Sequence, residues 1–116
     1  MNLAKAMLAT CLLFASSVPA FAVGAIAISD SGGRDPGYGY SVRLPSREQA
    51  ERVAMRKCRE RNESCRVVVW FETCGAYATS RERSGIGYGR SEGRAEDQAM
   101  DACGSRGCHV VISACE

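Results

Sequence analysis

Seven cysteines stand in this 116-residue chain, at positions 11, 58, 65, 74, 103, 108 and 115. Thiolates attack carbon, hold zinc or close disulfides, and spacing chooses among these. Zinc ligands usually come as close pairs, about two to four residues apart. This chain has no C-x-x-C pair, and its one histidine is His109. Cys11 lies in a segment read below as removed, so an even six remain, which in an exported small domain means three disulfides. Six cysteines allow fifteen pairings. Cys65 and Cys74 bracket a strand-like run of about 30 Å if extended, whereas bridged Cα atoms lie within about 7 Å. That excludes Cys65–Cys74 and, likewise, Cys108–Cys115. Cys58–Cys65 and Cys103–Cys108 would each tie a helix end to the next strand, and Cys74–Cys115 follows by elimination.

Covalent or acid–base catalysis needs a nucleophile, a base and a group to orient them. His109 is the one imidazole. Its counterpart in the internal repeat described below is Arg66, so the position tolerates either cation. Glu96 and Asp97 are adjacent on a helix and diverge, unlike a glycosidase pair. Gly85-Ile86-Gly87-Tyr88-Gly89 precedes a helix, where glycine-rich loops can hold phosphate. It lacks the dinucleotide spacing and a following lysine, so it reads as a structural loop. Its Tyr88, with Tyr38 and Tyr40 of the matching loop, supplies a contact surface. No catalytic residue, metal or cofactor is expected.

The amino terminus places these residues. Met1 to Ala22 has one positive charge, Lys5, then an apolar stretch from Ala6 to Phe14, Pro19, and Ala20-Phe21-Ala22. That is the layout of a secretory signal peptide. The apolar run is too short to span about 30 Å of hydrocarbon. Thr10 before Cys11, and an apolar run that mostly follows the cysteine, argue against lipidation there. Cleavage leaves residues 23–116 as a single domain with fourteen basic and thirteen acidic residues. That balance argues against a nucleic-acid binder, and the apolar fraction of 46% excludes a disordered chain.

The domain is doubled. AERVAMRKC (50–58) repeats as AEDQAMDAC (95–103), and Cys65-Arg66-Val67-Val68-Val69 as Cys108-His109-Val110-Val111-Ile112. Gly24-Ala25-Ile26-Ala27 matches Gly75-Ala76-Tyr77-Ala78, and a glycine–tyrosine loop follows each. The repeats run from about 24 to 74 and from about 75 to 115. Each reads strand, loop, helix, strand. Ser46 and Ser91 cap the helices, and Ala50, Val53, Ala54 and Cys58 share one helical face. The arginines Arg47, Arg52 and Arg56 lie on a solvated face.

The expected fold is α+β: a β-α-β-β-α-β duplication, one sheet with two helices on one face, and three disulfides. The sheet order stays open, because a ferredoxin-like order would put Cys74 and Cys115 at opposite ends. Alternating Ala25, Ala27, Ala76 and Ala78 admit the helices closely. With Val67, Val69, Phe71, Val110 and Ile112 turned inward, the other face carries Ile26, Ile28, Tyr77, Val68, Trp70 and Val111. That is more apolar surface than solvent should meet.

The GA-x-A strand, AE-x-x-A-M-x-x-C helix, C-x-V-V-V-W-F strand and Cys-Gly-Ala junction resemble an exported bacterial family known as domain of unknown function 4189. The resemblance covers nearly all of residues 23–116. It implies a small secreted or periplasmic two-repeat domain and supplies no catalytic residues. The expected function is therefore non-enzymatic: an exported, disulfide-stapled domain that binds a protein partner. Trp70 and Tyr77 would anchor it, with Val68 and Val111 beside them and Arg66 and His109 at the rim. An immunity or inhibitor protein against a cell-envelope toxin or hydrolase is a concrete form. A small envelope hydrolase using His109 is the catalytic alternative. No nucleic-acid partner is expected, and no membrane association after cleavage.

Overall fold

The computed structural model describes residues 22–30 and 35–116. The segment read from the sequence as a signal peptide, Ala22 apart, lies outside them. The first repeat contains β1 (Val23–Ser29), β2 (Tyr38–Leu44), α1 (Arg47–Arg59) and β3 (Cys65–Phe71). The second contains β4 (Cys74–Thr79), β5 (Ser84–Gly89), α2 (Glu92–Cys103) and β6 (His109–Cys115). The fold is α+β and duplicated, and each unit runs β-β-α-β.

Both glycine–tyrosine segments, expected as loops, are strands. Glycine punctuates turns, but here it answers a packing need. A Cβ on Gly39 would collide with the α1 backbone at Cys58 and Ala54, and one on Gly85 or Gly87 with the α2 backbone. Glycine therefore alternates with Tyr38, Tyr40, Ile86 and Tyr88 at the period of a strand, glycine under the helix and the large residue on the other face.

The single sheet is also corrected. There are two three-stranded antiparallel sheets, ordered β2-β1-β3 and β5-β4-β6. The added strand of each hairpin completes a sheet within its own repeat. Helix α1 covers one face of the first sheet, burying Ala50, Ala54 and Cys58 against Ala25 and Ala27. Helix α2 repeats this with Ala95, Ala99 and Cys103 against Ala76 and Ala78. The opposite faces then pack on each other: Ile26, Ile28, Val69 and Phe71 meet Tyr77 and Ala114. The layers are helix, sheet, sheet, helix. The apolar face that the sequence leaves uncovered is the centre of the molecule, because burying it against its own duplicate removes it from water.

A one-residue bulge revises the strand faces. Ile26 pairs with Val69 but Ala27 with Val67, so Val68 is extra. Tyr77 pairs with Ile112 but Ala78 with Val110, so Val111 is extra. A bulge flips the alternation beyond it. Val67 consequently packs with the α1 cluster, Val69 and Phe71 with the inter-sheet core, and Trp70, opposite Ala25, turns to the helix side.

The bonded cysteines are Cys58–Cys65, Cys103–Cys108 and Cys74–Cys115, the pairs favoured by spacing. The difficulty over the last one dissolves with the topology. Cys74 and Cys115 are directly opposite on neighbouring strands, with Cα atoms 4.1 Å apart.

Candidate functional site

Of the expected binding residues, Tyr77, Val68 and Val111 share the inter-sheet core, and Trp70 is parted from them. Tyr77 is only 5% exposed and belongs to the inter-sheet core, so it is corrected from anchor to core. Val68 and Val111 are partly buried against the same core. Trp70 lies on the other face of its sheet, 37% exposed. There α1 begins, and the Arg47 guanidinium carbon sits 4.9 Å from the indole centroid, within cation–π range.

Arg66 and His109 occupy equivalent positions beside the bulges, and each meets an acid from the segment after β1. Arg66 Nε lies 2.8 Å from Asp30 Oδ1. That hydrogen bond holds the Arg66 guanidinium above its ordinary pKa, against a smaller lowering by burial, and Tyr77 adds to the rise. His109 Nε2 lies 3.3 Å from Asp35 Oδ1 but is not aligned to hydrogen-bond with it. A hydrolase would also need a nucleophile there. Among the described residues the side-chain hydrogen bonds bring no hydroxyl to His109. Every cysteine of the domain is bonded, and no described group of His, Cys, Asp or Glu could hold a metal ion.

One groove is built as a binding surface would be. The β3–β4 join supplies Trp70, Phe71, Glu72 and Thr73, and the end of β5 supplies Tyr88 and Arg90, around about 490 Å³. The floor is rigid. Phe71 is buried, and no side chain larger than hydrogen fits at Gly24 or Gly75 without striking its ring. The Cys74–Cys115 bond closes the sheet beneath. Tyr88 is 62% exposed and its N–H donates to Gln98 Oε1 at 2.7 Å, which ties the strand end to α2. The two aromatic walls come from different repeats, so the groove exists only when both are folded. Tyrosine, tryptophan and arginine in one small depression are the residue types that carry most interface energy.

A larger depression runs over α1, about 980 Å³, among Glu48, Glu51, Arg52 and Arg56. Its ion pairs, Arg47–Glu51 at 3.2 Å and Arg52–Glu48 at 3.0 Å, are exposed i,i+4 contacts, each stabilising by about 0.3–0.5 kcal/mol. That surface is the solvated face expected of the helix. Sequence reasoning named Trp70 as an anchor and Tyr88 as a contact aromatic but did not join them. The joining signal is the period-two alternation of glycine with large residues over 84–89, which makes a strand ending beside the β3–β4 join.

The family described as a domain of unknown function (DUF4189) matches residues 23–115. The uncharacterized protein Rv1813c of Mycobacterium tuberculosis is 36% identical over 97 residues, which cover 84% of this chain and 62% of that protein. Mb1843c of Mycobacterium bovis is similar to the same extent. The chain thus spans about three-fifths of the length of these curated relatives. The NMR structure of Rv1813c is similar with a TM-score of 0.63 and 28% identity, covering 100% of this chain and 97% of the solved one.

Proposed function

The chain belongs to the DUF4189 family, a domain of unknown function, and we propose for it a non-enzymatic role outside the reducing cytoplasm: binding another protein through the groove between Trp70 and Tyr88. The observation that carries this reading is the meeting of two exposed aromatics from different repeats over a rigid floor, with Arg47, Glu72 and Arg90 around them. The three disulfides and the signal-peptide pattern support an oxidising, exported setting. Inhibition of a cell-envelope toxin or hydrolase is the concrete form of such binding.

The test is affinity capture from envelope and culture fractions with the oxidised domain, residues 23–116, beside a Trp70→Ala/Tyr88→Ala double variant. Loss of a hot-spot pair costs at least about 2 kcal/mol, or roughly 30-fold in affinity. The wild type is expected to retain a partner that the double variant releases while still melting cooperatively. Equal retention by both removes the groove from consideration.

A further inference from the structure

Each sheet has two edge strands, and edges carry unpaired N–H and C=O groups that recruit other strands unless blunted. In this molecule the four edges are blunted to different degrees. The bulge at Val68 interrupts β3, and the bulge at Val111 interrupts β6. Strand β5 is regular, and Gln98 takes the outward N–H at its end, that of Tyr88, while those of Ser84 and Ile86 have no described partner.

Strand β2 differs. Gly37 accepts from Ser29 N–H and so faces β1; by alternation Gly39 and Ser41 do too. Tyr38 and Tyr40 therefore point their N–H and C=O groups away from the sheet. The pairing with β1 is in register from Tyr38 to Ser41, its one shift falling beyond, between Ser41 and Leu44, and no described hydrogen bond reaches those outward groups. Both tyrosine side chains are 43% exposed, and no charged residue stands between Gly37 and Val42.

We propose that this edge pairs with β2 of a second copy, making a twofold dimer with a continuous six-stranded sheet. A twofold axis through Gly39 sets Tyr38 opposite the second copy's Tyr40, and Tyr40 opposite its Tyr38. Each such pair exchanges both N–H···O bonds and stacks two aromatics across the strands. The rim beside the edge carries both signs, Lys57, Glu60 and Arg61, so the twofold brings the carboxylate of one copy toward a cation of the other. Self-pairing consumes this edge in both copies, as a twofold contact does. This surface is separate from the Trp70–Tyr88 groove, and its fate does not depend on that reading.

Sedimentation of the oxidised domain, up to about 1 mM, tests this. The wild type is expected at twice the monomer mass. Amide exchange at Tyr38 and Tyr40 is expected to slow at least about tenfold with rising concentration, and at Gly39 to stay constant. Tyr40→Pro removes an outward donor, which an edge strand tolerates, and is expected to sediment as a monomer. If it misfolds, Tyr38→Lys/Tyr40→Lys, which opposes like charges across the axis, gives the same reading. Trp70→Ala/Tyr88→Ala is expected to remain dimeric. A wild type that stays monomeric, in which case the edge awaits a strand of another protein or none, overturns the proposal. So does a dimer that survives the β2 variants.

Discussion

Ile26 and Tyr77 hold the same position in the two repeats and meet in the same layer, yet only tyrosine brings a hydroxyl, beside Arg66. Truncating a large buried residue removes its transfer free energy and leaves a cavity. Tyr77→Ala is expected to destabilise by about 3–5 kcal/mol, whereas Tyr88→Ala, exposed at the groove, is expected within about 0.5 kcal/mol of wild type. Urea unfolding of both variants measures this, and equal losses would mean that the two tyrosines have been assigned to the wrong environments. At this scale the sequence shows which side chains are aromatic but not the face each one takes. Strict alternation through Val68 puts Trp70 and Tyr77 on one face, and the bulge there turns Trp70 over. A bulge in a run of valines leaves no compositional mark, since any of the three fits either face.

The helices were legible, because a period near 3.6, a serine cap and buried small residues all agree in α1 and α2. Strands β2 and β5 were not, since glycine at alternate positions reads as a turn until a helix is known to lie on it. That cover gives a sharp expectation for Gly87. A methyl group there would meet Ala95 O, and Ala99 N at 2.6 Å, neither of which can yield without lifting α2. Gly87→Ala is expected to cost at least about 1–3 kcal/mol, as overpacking does, although alanine ordinarily gains over glycine through the unfolded chain. Ser84, on the opposite face of the same strand, is the control: Ser84→Ala is expected to be near neutral by thermal unfolding. A stable Gly87→Ala would mean that α2 sits farther from β5.

For the molecule as a whole, the duplication was readable because the register of Ala, Glu, Met and Cys repeats, and with it the disulfides, two as equivalents and Cys74–Cys115 by elimination. How the two units meet was not, since sequence shows that a face is apolar without showing what covers it. Here the cover is the other unit, and contacts at both ends of the interface keep β2 and β6 side by side. Asp35 meets His109 at one end, and at the other the N–H of Arg43, a residue with φ 60°, donates to Glu116 Oε2 at 2.6 Å. The bond from Cys74 to Cys115 has no equivalent in the first repeat, where Val23 and Glu72 stand at the matching places.

That asymmetry has a mechanical consequence. Tension applied between Val23 and Glu116 passes from Cys74 straight into Cys115, so the intervening 41-residue span is bypassed and bears no load. A tethered molecule stretched in an optical trap is expected to yield the first half only. Adding a reductant then releases a further extension of about 160 Å, at roughly 3.5 Å per residue, most of it from this span and the rest from the seven-residue Cys58–Cys65 loop. The second half is in effect a closed ring carried by the first, able to keep its shape on a chain that is being pulled taut.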